Sequence, residues 1–151
     1  MSLVRSSVLI AAPPQRVWEI VMDPERLGEW VTIHRSIRSV SPGPPHEGSR
    51  MEQVLHLRGA DLRVRWLLVE CVPPSLARWE GYGPARSQAL IEYRLLAVAE
   101  GTRFDYTNEF LPPFGAVGAF ASRTVMGHTP QREADRSLAA LRALVESSPP
   151  S

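Results

Sequence analysis

Most of the chain alternates apolar and polar residues with a period of two, which is the pattern of strands with one buried face. In residues 62–70, for example, Val64 and Trp66 lie on one face while Arg63 and Arg65 lie on the other. Gly, Pro and Ser residues separate the alternating segments and indicate turns. The pattern predicts strands over residues 3–11, 37–40, 51–57, 62–70, 76–82, 88–98 and 103–111.

Helical spacing separates the first strand from the others. After a Pro-Pro step, residues 15–23 carry Trp18 and Val21 on one side of a predicted helix, and residues 24–27 form a second short turn. Two short helices are therefore expected to follow the first strand. The sequence leaves open which face of that strand is buried, the face of Val4 and Val8 or the face of Leu3 and Leu9.

The last quarter of the chain also has helical spacing, and we predict one long helix over residues 113–147. Its first part is rich in Gly and Ala, and Gly127 and Pro130 interrupt it. A proline removes a helical hydrogen bond and disfavours helical angles in the residue before it. We therefore expect a kink near residues 127–130, as a break between residues 126 and 131. The later part carries one apolar stripe, at Ala134, Leu138, Leu141 and Val145.

The order of these elements predicts an α+β fold. Because the later strands are joined by short connections, consecutive strands must be antiparallel neighbours. Together with the first strand they form a seven-stranded curved antiparallel sheet, whose apolar face only the long C-terminal helix is left to cover. A bent sheet contacts one helix along a line and not over an area, so we expect an internal cavity between them.

Composition and charge narrow the class of protein. A chain of 151 residues is the size of one domain. We assign residues 1–147 to that domain and treat residues 148–151, which are only Ser and Pro, as a disordered tail. The net charge is +1, from 17 Lys and Arg against 16 Asp and Glu. This balance gives no electrostatic reason to expect nucleic acid or an anionic membrane as a partner.

The cysteine count and the apolar runs bear on the location of the protein. The one cysteine, Cys71, excludes an internal disulfide and fits a reducing compartment. Near the N-terminus the longest apolar run, residues 8–12, is far too short to cross a membrane. We therefore predict a cytoplasmic protein with no integral membrane association, present as a monomer or a homodimer.

The opening and closing segments resemble a known superfamily. Residues 8–30 read as a strand, an Ala-Pro step, a helix carrying Val-Trp, an Asp-Pro step and a tryptophan. Gly101 and Thr102 before the last strand, and residues 132–144 in the last helix, are similar to its closing pattern. The chain thus resembles the START-like (SRPBCC) superfamily, which includes Bet v 1 allergens, START domains and bacterial polyketide cyclase/dehydrase proteins.

This resemblance implies a helix-grip fold and a class of function. Members bind hydrophobic or amphipathic small molecules under the long helix, and some catalyse reactions on the bound molecule. The resemblance also implies that Trp18 and Trp30 are packing residues. Residues 64–66 and 108–110 are loosely similar to aromatase/cyclases, a likeness too short to transfer catalytic residues.

Motifs for metal, nucleotide or nucleophilic chemistry are absent from the sequence. It contains no Gly-x-Ser-x-Gly, Gly-x-Gly-x-x-Gly or phosphate-loop pattern. Cys71 follows a predicted strand and precedes two prolines, and we interpret it as an inert thiol. No metal or cofactor is predicted, because none of the metal-ligand spacings joins the histidines His34, His46, His56 and His128.

Polar groups among large apolar ones on the inner sheet face mark the candidate site. If the cavity is dry, these groups pair with one another; if it is open, they orient a ligand. From the helix, Phe120 and Thr124 would face the sheet, with Arg123 and His128 at the rim. Arg123 could bind a ligand carboxylate or pair with Glu109. The candidates on the strands are Gln53, Trp66, Trp79, Tyr93, Tyr106 and Asn108.

Three functions remain open at this point. The first is a binding module for a hydrophobic or amphipathic, lipid- or polyketide-like molecule. The second is a polyketide cyclase/dehydratase or aromatase-type enzyme, for which His128, Tyr93 and Tyr106 are the candidate proton donors. The third is an accessory interaction protein that uses exposed apolar residues around 112–115.

Overall fold

A computed structural model describes residues 2–57, 59–111 and 129–148. The strands of the described residues form one antiparallel seven-stranded sheet, in the order β1-β7-β6-β5-β4-β3-β2. The predicted α+β architecture, with two short helices after the first strand and a C-terminal helix on a curved sheet, is confirmed. The strands are β1 (Ser2–Ile10), β2 (His34–Val40), β3 (Arg50–Leu57), β4 (Ala60–Val72), β5 (Leu76–Tyr82), β6 (Gln88–Val98) and β7 (Gly101–Leu111). The helices are α1 (Pro14–Val21), a first 3-10 helix (Pro24–Glu29), a second 3-10 helix (Pro84–Arg86) and α2 (Thr129–Ser147).

The buried face of each strand is the one that its alternation indicates. On β1 the open choice resolves toward the even-numbered residues, because Val4 and Ile10 are 7% and 1% exposed while Leu3 and Leu9 are 50% and 48% exposed. The predicted stripe of α2 is confirmed, since all of its members are buried against the sheet side of the molecule. The core formed in this way joins α1, the first 3-10 helix, the sheet and α2.

A close contact fixes the corner between β1 and α1 to the hairpin of β6 and β7. Thr102 is fully buried, and its Oγ1 donates a hydrogen bond of 2.7 Å to the carbonyl of Ala12. Gly101 has φ +135°, and a Cβ there would lie 2.4 Å from the carbonyl oxygen of Ile10. Only glycine adopts this angle readily and leaves room for that oxygen.

Side-chain hydrogen bonds attach α2 to two separate segments of the chain. Near its start, Gln131 Nε2 donates to the backbone carbonyl of Arg5 over 2.9 Å, and near its end Glu146 accepts from the amide of Ala11 over 2.8 Å. On the opposite side, the amide of Thr32 donates to Ser137 Oγ over 3.1 Å. The helix therefore bridges β1 and the segment that follows the first 3-10 helix.

Several predicted boundaries were wrong. β2 begins at His34 and not at residue 37, because its polar start hides the alternation and its pairing with β3 shifts register twice. β4 extends to Ala60–Val72, beyond the predicted 62–70, since the turn at Gly59 is tighter than expected and Val69 interrupts the register with β5.

The upstream part of the long helix lies outside the described residues. The predicted helix over residues 113–126 and most of the predicted kink fall within residues 112–128. In the described part α2 begins at Thr129, so Pro130 stands in its first turn, where a proline is tolerated. At the other end, the amide of Ser148 donates to the carbonyl of Leu144 over 3.1 Å.

Candidate ligand-binding cavity

A cavity of about 520 Å³ lies between the inner face of the sheet and the first half of α2. Its walls come from β1, β3, β4, β5, β6 and β7, from residues 27–33, and from the turn that contains the second 3-10 helix. The lining is mostly aliphatic and aromatic. Sites for small molecules have volumes of about 300–1,000 Å³ and walls of this kind.

The strands bring together every sheet candidate that the sequence indicates. Gln53 from β3, Trp66 from β4 and Trp79 from β5 line the same cavity as three residues from β6 and β7, which are Tyr93, Tyr106 and Asn108. The candidates Phe120, Arg123, Thr124 and His128 lie in residues 112–128, outside the described part of the chain.

A row of hydrogen bonds crosses β4, β3 and β2 at one end of this wall. Trp66 Nε1 donates to Gln53 Oε1 over 2.9 Å, and Gln53 Nε2 lies 2.8 Å from His34 Nδ1. An indole N–H can only donate, so the Gln53 carbonyl must face Trp66 and its amide nitrogen must face His34. His34 Nδ1 is therefore the acceptor, and its ring proton is on Nε2.

His34 is a neighbour of the candidate site that sequence reasoning missed, through its contact with Gln53. Burial lowers the pKa of His34, which favours the neutral ring that this hydrogen bond needs. His34 stands three residues before the predicted start of the second strand, so the alternation pattern did not place it in the sheet. From the sequence it was considered only as a possible metal ligand. A strand that began at residue 34 would have placed it beside β3, where it pairs with Leu55.

Aromatic rings form the neighbouring part of the wall. The ring centroids of Trp30 and Tyr93 are 6.1 Å apart with an interplanar angle of 62°, and those of Tyr93 and Tyr106 are also 6.1 Å apart. The ring of Trp30 also meets Phe104 edge to face, with centroids 6.4 Å apart. Such contacts hold each ring in a fixed orientation.

Two buried polar atoms on this wall have no hydrogen-bond partner among the described residues, Trp30 Nε1 and Asn108 Oδ1. The other amide atom of Asn108, Nδ2, donates to the hydroxyl of Tyr106 over 3.1 Å. A buried polar atom without a partner costs about 1–3 kcal/mol. Both residues belong to the lining of the cavity.

The two tyrosines of the wall are poor acids. Burial raises the pKa of Tyr106 to about 12, although the hydrogen bond from Asn108 acts in the opposite direction. Burial, with a smaller effect of Tyr106, raises the pKa of Tyr93 above its usual range as well. Both phenols are therefore protonated at neutral pH and act as hydrogen-bonding groups.

Gly81 makes room for the indole of Trp66. The two residues are paired across β4 and β5, and a Cβ at Gly81 would lie 2.5 Å from Cζ3 of the Trp66 ring. The indole thus packs against the backbone of β5 at Gly81. This contact, together with the hydrogen bond to Gln53, sets the position of one of the three tryptophans among the described lining residues.

Charged and reactive groups around the cavity are few among the described residues. Of the described lining residues, Glu133 is the one with a carboxylic acid side chain; it accepts a hydrogen bond from Thr32 Oγ1 and lies 3.9 Å from Arg136. No cluster of three His, Cys, Asp or Glu side chains that could hold a metal occurs in the described ranges. Burial raises the pKa of the Cys71 thiol, which keeps it protonated.

Comparison with known proteins identifies the family. A family described as polyketide cyclase/dehydrase and lipid transport matches residues 1–146. The chain belongs to this family. Of the helices in the parts that the structure describes, none has both the length and the apolar character needed to cross a membrane.

A mycobacterial toxin is among the relatives of this family member. Toxin Rv0910 of Mycobacterium tuberculosis (strain H37Rv) is 30% identical over 83 residues, which are 55% of this chain and 58% of the toxin. The match thus spans little more than half the length of that relative.

Solved structures share the fold at low identity. The crystal structure of TTHA0849 from Thermus thermophilus has a TM-score of 0.75 and 22% identity, covering 97% of this chain and all of the other. DynU16, from the dynemicin biosynthetic locus, has a TM-score of 0.63 and 18% identity over 97% of this chain and 48% of its own.

Proposed function

We propose that this protein binds a hydrophobic or amphipathic small molecule, lipid- or polyketide-like, in the cavity between the sheet and α2. The observation that carries the proposal is an apolar cavity of about 520 Å³ whose wall contains buried polar atoms without partners among the described residues. Protein interiors otherwise pack with few voids larger than a water molecule. The proposed contacts are Gln53, Trp66, Trp79, Tyr93, Tyr106 and Asn108.

The position of Ala89 offers a direct test. Ala89 lines the cavity from β6, between Gly81 and Phe110 on the neighbouring strands, while the next residue, Leu90, is exposed on the outer face. We expect Ala89→Phe to fill part of the cavity and Leu90→Phe to leave it unchanged. Both substitutions add an aromatic ring to adjacent positions of one strand, so they are matched.

Binding is measured with Nile red, a neutral dye whose fluorescence increases in apolar surroundings. The wild type and Leu90→Phe are expected to bind the dye with the same affinity. Ala89→Phe is expected to bind it at least about tenfold more weakly, because the added ring occupies the apolar surface that the dye would contact. Equal binding by Ala89→Phe and Leu90→Phe would place the dye outside the cavity and contradict the proposal.

An enzymatic function of the cyclase/dehydratase or aromatase type is the second candidate. It is favoured by one observation, the presence of two tyrosines and an asparagine on one wall of the cavity. The raised pKa of Tyr106 makes it better suited to donate a hydrogen bond than to transfer a proton. We therefore rank binding above catalysis. The proton-donor prediction for His128 concerns a residue outside the described ranges.

The remaining predictions keep their status as predictions. The accessory-protein alternative depends on residues 112–115, which lie outside the described part of the chain. We also propose a cytoplasmic location, a monomeric or homodimeric state and no nucleic-acid partner. The single cysteine supports the location, and the balanced charge supports the absence of nucleic acid.

A further inference from the structure

The two polar atoms without partners in the described part of the chain indicate what the ligand carries. We propose that the polar groups of the ligand are uncharged, with a hydrogen-bond acceptor bound by Trp30 Nε1 and a donor bound by Asn108 Oδ1. The site would then select a neutral amphiphile, such as an amide or an alcohol, over the carboxylate of the same size. This inference rests on the proposed binding function and specifies the chemistry of its ligand.

Trp30 is held so that its N–H has a fixed direction. Its side chain is 2% exposed, its ring meets Tyr93 and Phe104 at steep angles, and its amide donates to the carbonyl of Leu27 over 3.2 Å. An indole has no acceptor and one donor. Packing alone does not need the ring nitrogen, and the buried N–H has no acceptor among the described residues. Because Trp30 lines the cavity, the proposal assigns this acceptor to the ligand.

Asn108 supplies the complementary atom. Its Nδ2 donates a hydrogen bond to the hydroxyl oxygen of Tyr106, and its Oδ1 remains a buried acceptor with no partner among the described residues. Asn108 lies on β7 opposite Ile91 of β6 and Val4 of β1, and neither neighbour offers a polar side chain. A donor from the ligand is thus the partner that the site can accept.

The surroundings of these atoms disfavour a negative charge. Tyr93 and Tyr106 lie between Trp30 and Asn108 in the row of contacts, and burial makes the ionised form of both phenols unfavourable, as their raised pKa values indicate. The same loss of solvation would act on a ligand carboxylate. No Arg, Lys or His side chain occurs among the described lining residues, so the described wall offers no basic partner for a ligand carboxylate.

The test compares ligands that share one alkyl chain and differ only in the polar end. A long-chain primary amide, the alcohol and the carboxylate are each tested for their ability to displace Nile red from the wild-type protein at neutral pH. We expect the amide and the alcohol to bind about tenfold or more tightly than the carboxylate, because a buried charge without a counter-ion is costly.

Variants locate the polar contacts. Trp30→Phe removes the N–H, and Asn108→Leu removes the amide at similar size. Each is expected to weaken amide binding by about two- to tenfold, the value of one hydrogen bond. The matched controls are Trp18→Phe, a buried tryptophan of α1 away from the cavity lining, and Thr107→Val on the same strand as Asn108. Both controls are expected to bind the amide as the wild type does.

Each result has a definite meaning. Carboxylate binding as tight as amide binding, or losses no larger in the two variants than in their controls, would overturn the inference while dye binding still supports the proposed function. Failure of the wild type to bind Nile red and every competitor would contradict the proposed function itself. If Trp30→Phe does not fold, Asn108→Leu and the ligand series decide the outcome.

Discussion

At the scale of single residues, the row from Trp66 through Gln53 to His34 shows how one group sets the chemical state of another on a different strand. The indole can only donate, which fixes the Gln53 amide, which in turn requires an acceptor at His34 Nδ1. A protonated histidine offers donors at both nitrogens and would face the Gln53 amide with a second donor. The row is therefore compatible with neutral His34 only.

This state of His34 predicts how stability depends on pH. Its pKa in the folded protein is below the ordinary value of 6.5, because burial disfavours the charged ring. Below that value the unfolded chain binds a proton that the folded protein resists, so the free energy of unfolding falls as the pH drops. Above pH 6.5 His34 is neutral in both the folded and the unfolded state, so it does not make the free energy of unfolding depend on pH. Urea unfolding between neutral and mildly acidic pH measures this slope.

A histidine substitution separates this effect from general acid sensitivity. His34→Gln cannot be protonated, so the part of the slope just below pH 6.5 is expected to flatten. The control is His46→Gln, which removes an exposed histidine from the loop before β3. If the two variants have the same slope as the wild type, the acid sensitivity does not originate at His34.

At the scale of elements, the corner formed by β1, α1 and the last hairpin shows a glycine that is required for two reasons. Gly101 has φ +135°, and a Cβ there would lie 2.4 Å from Ile10 O and 2.8 Å from Ala12 N. Gly59, in the hairpin of β3 and β4, also has a positive φ, of +79°, but a Cβ there would meet nothing within 4 Å. A side chain at Gly59 would therefore meet only backbone strain, whereas a side chain at Gly101 would meet both backbone strain and a steric clash.

Alanine at these two positions is expected to have different effects on stability. Gly59→Ala introduces only the strain of a positive φ, about 1 kcal/mol or slightly more. Gly101→Ala adds the contact with Ile10 and Ala12, which should cost roughly a further 1–3 kcal/mol. Chemical unfolding of the two variants measures the difference. Equal losses would show that the corner can move enough to accept a methyl group.

The elements also show what the pattern of the sequence could predict and what it could not. Alternation identifies a strand when one face is buried over most of its length, as in β5 and β7. It fails at the start of β2, an edge strand where His34 is only half-buried and the pairing shifts register. The stripe of α2 was predictable because helix packing buries every third or fourth residue.

At the scale of the whole molecule, the cavity follows from topology, whereas its chemistry depends on contacts between distant segments. The sequence predicts a sheet too curved for one helix to cover and the polar residues on its inner face. It cannot predict that Trp66 bonds to Gln53 or that Trp30 Nε1 has no partner among the described residues, because these depend on strand register and on the packing of residues 27–33. The family resemblance implies only a packing role for Trp30, and the ligand contact that we propose for its N–H is a second one.

A cavity of this size predicts that the protein is more stable when a ligand fills it. A ligand that binds only the folded state stabilises it by mass action, about 2.7 kcal/mol at a concentration one hundred times its Kd. For a chain of 151 residues this corresponds to an increase in Tm of roughly 5–10 °C. Thermal unfolding with and without the long-chain amide measures the shift.

A substitution that fills part of the cavity should affect the stability of the ligand-free protein and its stabilisation by ligand in opposite directions. Ala89→Phe places a ring where the ligand would lie, so the ligand-free variant should be at least as stable as the wild type, since it removes part of the void. The same ring should abolish most of the increase in Tm that the amide produces, whereas Leu90→Phe should keep it. A ligand-induced increase of the wild-type size in Ala89→Phe would mean that the stabilising ligand binds elsewhere, and that the void between the sheet and α2 is not where this fold holds its ligand.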